Sequence, residues 1–123
     1  MTGWSAEQLD HLGSTGELEI TTARDDGSSR AWVPIWVVRV GDELFVRSYR
    51  GTQGGWYRHA TRLARGRIRA GGVEHAVGFV PAETSAAVDD AYRAKYGRYA
   101  GGPLDPMLSE RAAATTLKLV PQN

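Results

Sequence analysis

No cysteine occurs among the 123 residues. Disulfides, thiolate nucleophiles and cysteine-based metal sites are excluded with it. Only three histidines are present, and none stands at a spacing such as H-x-x-x-H, so no metal is expected. Neither sign of charge dominates. Fifteen Lys and Arg against fourteen Asp and Glu leave a net charge of +1, which argues against a nucleic-acid coat or a polybasic membrane binder. Long apolar runs are missing too. The longest, Trp32 to Val38, is interrupted by Pro34, whereas a spanning helix needs about 20 apolar residues. Met1-Thr2-Gly3-Trp4 lacks the basic-then-apolar opening of a signal peptide. A cytoplasmic protein, bound to neither membrane nor nucleic acid, is the expectation. There is no G-x-S-x-G, no Walker loop and no G-x-G-x-x-G after a strand, so hydrolase, kinase and Rossmann readings lack support.

What is present is ordinary globular composition, 41% hydrophobic and 24% charged, in one domain's length of chain (residues 1–123). Ser5 and Gln8 have capping-box spacing and predict a helix to Leu12. Glu17 to Ala23 alternates with period two, as a half-buried strand does. After the turn at Asp25-Asp26-Gly27-Ser28, the segment Arg30 to Val40 is apolar on both faces and reads as a central strand, although Pro34 calls for a bulge or a missing ladder bond. Glu43 to Tyr49 is the next strand, with Leu44, Val46 and Ser48 on one face and Phe45, Arg47 and Tyr49 on the other. Trp56 to Arg65 reads as a helix. Gly71-Gly72 joins strands Arg67–Ala70 and Val73–Val80. A longer helix runs from Glu83 to Tyr96. A short helical turn opens at Asp105-Pro106, and a last strand spans Ala113 to Val120. Residues 1–16 form an N-terminal helical segment, 17–120 the barrel and 121–123 a frayed tail. Six strands, two short helices and one longer helix result, and a closed or partly closed antiparallel barrel removes their exposed edges.

Four groups of residues carry chemistry. Ser48-Tyr49-Arg50-Gly51 leads from a strand through a glycine loop into a helix that begins Trp56-Tyr57-Arg58-His59. Hydroxyl, guanidinium and helix-terminal amides converge at such a junction, which suits a phosphate or carboxylate; solvated arginines and core aromatics are the plainer reading. Arg58, Arg62 and Arg65 share a helix face, and Arg67 and Arg69 a strand face, either a solvated basic face or an anion site. His75 with Glu74, or His59, offers a general base because histidine titrates near neutrality, although a histidine on an apolar strand face is usually a hydrogen-bonded core residue. Tyr92, Tyr96 and Tyr99 continue a helical stripe from Val88, either packing or the lid of a pocket.

The order of these motifs resembles the split β-barrel flavin- and deazaflavin-binding superfamily, which includes pyridoxamine-phosphate-oxidase-like proteins. The likeness is closer to the deazaflavin-dependent nitroreductase branch, and closest to a small bacterial family of unknown function. It rests on Thr21-Thr22, Arg30 before Val33-Pro34-Ile35, Ser48-Tyr49-Arg50-Gly51, Trp56-Tyr57-Arg58-His59 and the spaced tyrosines, over roughly residues 17 to 120. Two positions depart from the branch's pattern. His59 stands where it has asparagine, and Tyr49 displaces the basic residue to Arg50. The resemblance implies a mainly β, α+β fold: a six-stranded antiparallel split β-barrel with two short helices and one longer one, forming a homodimer. It implies deazaflavin or FMN bound through Arg30, Ser48, Tyr49, Arg50, Gly51, Trp56 and His59. Tyr92, Tyr96 and Tyr99 would face a small organic substrate that takes or gives a hydride. Two other readings stay open: a cofactor-free isomerase or cyclase using His75, Glu74 or His59, and a non-catalytic small-ligand binder.

Overall fold

Ser5 caps helix α1 (Ala6–Ser14) with the reciprocal box its sequence announces: Gln8 N–H donates to Ser5 Oγ at 3.1 Å, and Ser5 N–H to Gln8 Oε1 at 2.8 Å. The computed structural model describes residues 3–83 and 86–122. Strand β1 (Leu18–Thr22) follows, then β2 (Val33–Ile35), β3 (Val38–Val40) and β4 (Glu43–Val46). A 3-10 turn at Gly51–Gln53 leads into α2 (Gly55–Leu63). The hairpin of β5 (Arg65–Ala70) and β6 (Val73–Pro81) turns at Gly71-Gly72, both with positive φ. Then come α3 (Ala86–Tyr96), a second 3-10 turn at Gly97–Tyr99, α4 (Leu104–Met107), α5 (Glu110–Ala113) and β7 (Leu117–Pro121). Among the described residues there are seven strands and five α-helices, not six strands with three helices. The two extra helices are α4, where a helical turn was expected at Asp105-Pro106, and α5, which forms because Ser109 caps a fresh turn by accepting from Ala112 N–H at 3.2 Å. The expected start of the longer helix at Glu83 lies partly outside the described residues. Pro121 is not tail but paired strand, opposite Val77.

The seventh strand is the main correction. The stretch expected as one central strand is two short ones, and neither is central. The strand order is β2-β1-β5-β6-β7-β4-β3, all antiparallel, so β2 and β3 are the two edges of one sheet. Seven strands laid flat would hold their edges about 29 Å apart, at about 4.8 Å per gap. Only Trp36-Val37 joins Ile35 to Val38, and three trans peptide steps reach at most about 11 Å. The sheet therefore has to roll into an incomplete barrel whose two edges meet at this link. Pro34, which cannot donate to a ladder, sits on an edge as its chemistry requires. Both faces of the segment are apolar because its residues serve two cores. Ile35 and Val37 point into the barrel, while Val38 and the flanking Trp36 pack beneath α3.

The barrel core joins Leu18, Ile20, Leu44, Val46, Ile68 and Leu119 with Leu9 and Leu12 of α1. Trp4 plugs one end, its indole N–H donating to Leu119 O at 2.9 Å. The second core lies outside the sheet, where Val38 and Phe45 meet Val88, Tyr92, Tyr96, Leu104 and Met107. Among the described residues, no helix is long and apolar enough to cross a membrane.

The seam between β2 and β3 is held by a side chain. The Tyr96 hydroxyl accepts from Val37 N–H at 3.2 Å and donates to Gly16 O at 2.8 Å, with Val37 O also 3.2 Å away. Lys95 Nζ donates to the same Val37 carbonyl at 2.6 Å. Burial pushes the Tyr96 phenol up to about 12 and the Lys95 amine down to about 8. Tyr96→Phe strips the buried Val37 N–H of its partner, and about 1–3 kcal/mol of stability should go with it. Chemical denaturation measures this; a midpoint equal to the parent's would mean the seam closes without the hydroxyl.

Candidate functional site

A cleft of about 550 Å³ opens where the barrel is incomplete. One wall is the edge strand β2 with Trp36, and the opposite wall is the end of β4 running through Ser48, Tyr49 and Arg50. Its end is the start of α2, at Gly54, Gly55 and Trp56. Leu44 and Val46 point into the barrel, so Ser48, two residues on, continues that face to the mouth, while Phe45 and Arg47 lie on the side covered by α3 and α4.

Ser48 is 1% exposed, and its Oγ has no hydrogen-bond partner among the described residues. Buried hydroxyls are normally paired, so this atom is either strained or waiting for a ligand. It lies against Gly54, the N-cap of α2, which offers no side-chain cap. The amides of Gly55, Trp56 and Tyr57, at the first three helical positions, have no acceptor within the helix. A Cβ on Gly54 would fall on Ser48 Oγ, so only glycine keeps this corner open. Helix-terminal N–H groups, a hydroxyl and the Arg50 side chain at one end of a cleft are groups of the kind that hold an anion.

Flat apolar surface lies beside that cradle. Trp36 stacks on Tyr96 with ring centroids 3.9 Å apart and planes 3° from parallel, and Tyr99 leans on it at 5.4 Å. Tyr92 and Tyr96 are buried and Tyr99 is half-buried. None of the three lines the cleft; Tyr96 and Tyr99 reach it through Trp36, which sequence reasoning had left out of the site.

The other expected site residues divide. Ser48, Tyr49, Arg50 and Trp56 line the cleft. Gly51 does not; its positive φ makes the turn, and the Arg111 side chain lies over it. Arg30 and His59 stand on the flank of α2, beyond the cleft's lining. His75 and Glu74 are elsewhere: His75 packs edge-on to Trp4 at 5.4 Å, and Glu74 pairs with Arg67 at 2.8 Å. Burial, then nearby His11 and Arg67, holds the His75 imidazole below its usual value. The arginine stripe is largely paired as well, Arg62 with Asp25 and Arg69 with Glu19, both at 2.8 Å. Arg69 also lies 4.2 Å over the Trp32 ring. Trp32 is half-buried beneath Arg69, and Trp36 is half-buried against Tyr96 and Tyr99.

Sequence reasoning missed Arg47. It lines the cleft floor with a fully buried side chain, paired through Nη1 to Asp89 at 2.7 Å. Its Nε donates to Thr116 Oγ1 and its Nη1 to Met107 O, each at 3.0 Å. The signal was present, since Arg47 alternates with Phe45, and Asp89 adjoins Val88 on the tyrosine-bearing helix. That both faces would be covered was not visible.

A bacterial family described as "Uncharacterized protein conserved in bacteria" (DUF2255) matches residues 8–119. The chain belongs to this family. No curated protein matches by sequence. Solved structures share the family member's fold. A NimC/NimA family protein from Clostridium acetobutylicum has a TM-score of 0.62 at 12% identity, covering 94% of this chain and 78% of its own. A FAD-binding protein from Mesorhizobium loti has a TM-score of 0.56 at 14% identity, covering 96% and 88%. An F420 reductase has a TM-score of 0.54 at 19% identity, covering 94% and 93%. At these identities the likeness establishes the fold alone, an incomplete antiparallel β-barrel of the kind expected from the motifs.

Proposed function

We propose that this protein binds a flavin-type nucleotide, a deazaflavin or FMN, in the cleft, and that it is an oxidoreductase acting on a small organic molecule. The observation that carries the reading is Ser48 Oγ, buried without a partner against the open start of α2. The residues fit the group. Ser48, the amides of α2 and Arg50 would hold its phosphate, and the Trp36 and Trp56 side chains would bound its ring. Once bound, the cofactor supplies hydride transfer, and the protein supplies position and electrostatics. Pro34 leaves the β2 edge with a carbonyl and no N–H at its centre, so that edge offers an acceptor to a ring N–H. The names of the FAD-binding protein and the F420 reductase of like fold favour the same class of ligand. A homodimer belongs to this proposal: Tyr49, 60% exposed at the cleft rim, is the most exposed large apolar side chain among the described residues and would be covered by a second copy. Light scattering that finds only monomer at micromolar concentration removes that part.

The test is the visible spectrum of protein purified from a host that makes both cofactors, followed by titration with FMN and with F420. A chromophore near one per chain is expected; a colourless protein that takes up neither overturns the reading. Ser48→Ala separates the site from the scaffold. A lost hydrogen bond to a charged group costs about 1.5–3 kcal/mol of affinity. Removing an unsatisfied buried hydroxyl should leave the ligand-free melting temperature equal or higher. Weaker binding with no loss of stability is the expected pair of results. A stability loss with unchanged affinity would make Ser48 a packing residue.

A further inference from the structure

The proposed phosphate cradle does not use Arg30, Arg58 or His59, and these three stand together on the flank of α2. Arg30 and Arg58 make no ion pair among the described residues. Arg62, the next arginine along, is occupied by Asp25 at 2.8 Å. The Arg30 Nε is buried and has no hydrogen-bond partner among the described residues. A solvated arginine would keep that N–H in water, and a structural one would have an acceptor for it. Burial, then the nearby Arg30, Arg58 and Arg62 guanidinium groups, holds the His59 imidazole below its usual value; of these three arginines only Arg62 has a carboxylate partner among the described residues.

Position ties this patch to the cleft. His59 lies four residues beyond Gly55 on α2, about 6 Å at 1.5 Å per residue. Arg30 lies three residues before Val33, which lines the cleft, about 10 Å if that link is extended. A single phosphate seated on the first amides of α2 does not reach so far. A diphosphate, or a tail carrying carboxylates, does. Arginine's planar fork matches either group, while a lysine would act only as a point charge.

We propose that the ligand of the cleft carries two anionic groups, and that the second sits between Arg30 and His59 on the flank of α2. The inference rests on the flavin-type reading above and narrows it to cofactors with a polyanionic tail.

Affinities of the full chain for riboflavin, FMN, FAD and F420 decide it. They represent no anion, one phosphate, a diphosphate, and a phosphate followed by carboxylates. FAD or F420 should bind at least about tenfold more tightly than FMN, a factor worth about 1.4 kcal/mol. Arg30→Gln should remove most of that advantage while moving FMN affinity less than about twofold, and the retained FMN binding shows the variant is folded. Arg58→Gln, on the exposed side, should act in the same direction. The tail-bearing ligand should also lose affinity faster with salt than FMN does, because it engages more cations. FMN binding as tightly as FAD and F420, or Arg30→Gln weakening all of them alike, overturns the second seat and leaves the first intact. Failure of all four to bind overturns the flavin reading and this inference with it.

Discussion

Asp89→Ala is expected to destabilise the protein by about 3 kcal/mol, toward the low end of the 3–5 kcal/mol range for breaking a buried ion pair. The reason is what remains. Arg47 is fully buried, and the Thr116 Oγ1 and Met107 O to which its Nε and Nη1 donate are neutral acceptors that bring no countercharge. Tyr92 presents its ring 5.3 Å from the guanidinium, which helps without neutralising it. Asp89 itself is 28% exposed, so some water can reach the vacated corner, and that holds the cost near the lower bound. The same asymmetry makes Arg47→Met the milder change, because the carboxylate it leaves behind can be solvated while methionine fills much of the volume. Urea denaturation of both variants checks the order. An Asp89→Ala protein within 1 kcal/mol of the parent would mean that the charge of Arg47 is compensated elsewhere.

Tyr92→Ala should cost about 3–5 kcal/mol, the scale of a large aromatic truncation in a packed core. Tyr92 is 0% exposed and sits between Val88 and Tyr96, facing Val38 and Phe45 of the sheet. Burial pushes its phenol well above the usual range, so it stays neutral at any working pH. Because the ring also covers Arg47, the Tyr92→Ala and Asp89→Ala costs should not add: both damage the surroundings of one guanidinium. A double variant losing less than the sum is expected. Strict additivity would separate the tyrosine from the ion pair and leave it as simple packing.

These two variants concern scaffold, whereas the motif reading had placed Tyr92, Tyr96 and Tyr99 against a substrate. The spacing of 4, 4 and 3 from Val88 was legible, and so was the inward face it implies. What the stripe faces was not. It packs on β3 and β4, and one hydroxyl closes the seam. Only the rolled sheet creates a seam to be closed. The double-sided apolar pattern of Arg30 to Val40 has the same origin. Period two reports burial on each face, but a strand inside a sheet and a chain crossing between two edges bury both faces equally well. Pro34 was the residue that told them apart.

What the amino-acid order determined unaided is short-range. It determined the Ser5–Gln8 cap, the Gly71-Gly72 hairpin, the alternation in β1 and β4, and the sequence of hydroxyl, arginine and glycine loop leading into α2. In each, the interacting groups are a few residues apart, and one side-chain type or one backbone angle decides the outcome. The tertiary structure alone decided the rest. It brought β2 beside the end of β4 to form the cleft, placed Arg47 against Asp89, and moved His75 to the far end beside Trp4. Those contacts join residues more than ten positions apart, and the rolling of the sheet, forced by a two-residue link between its edges, selected them. Ser48 shows both levels. Its place at the mouth follows from the strand period, but its lack of a partner exists only because Gly54 lies on it and the helix beyond begins uncapped.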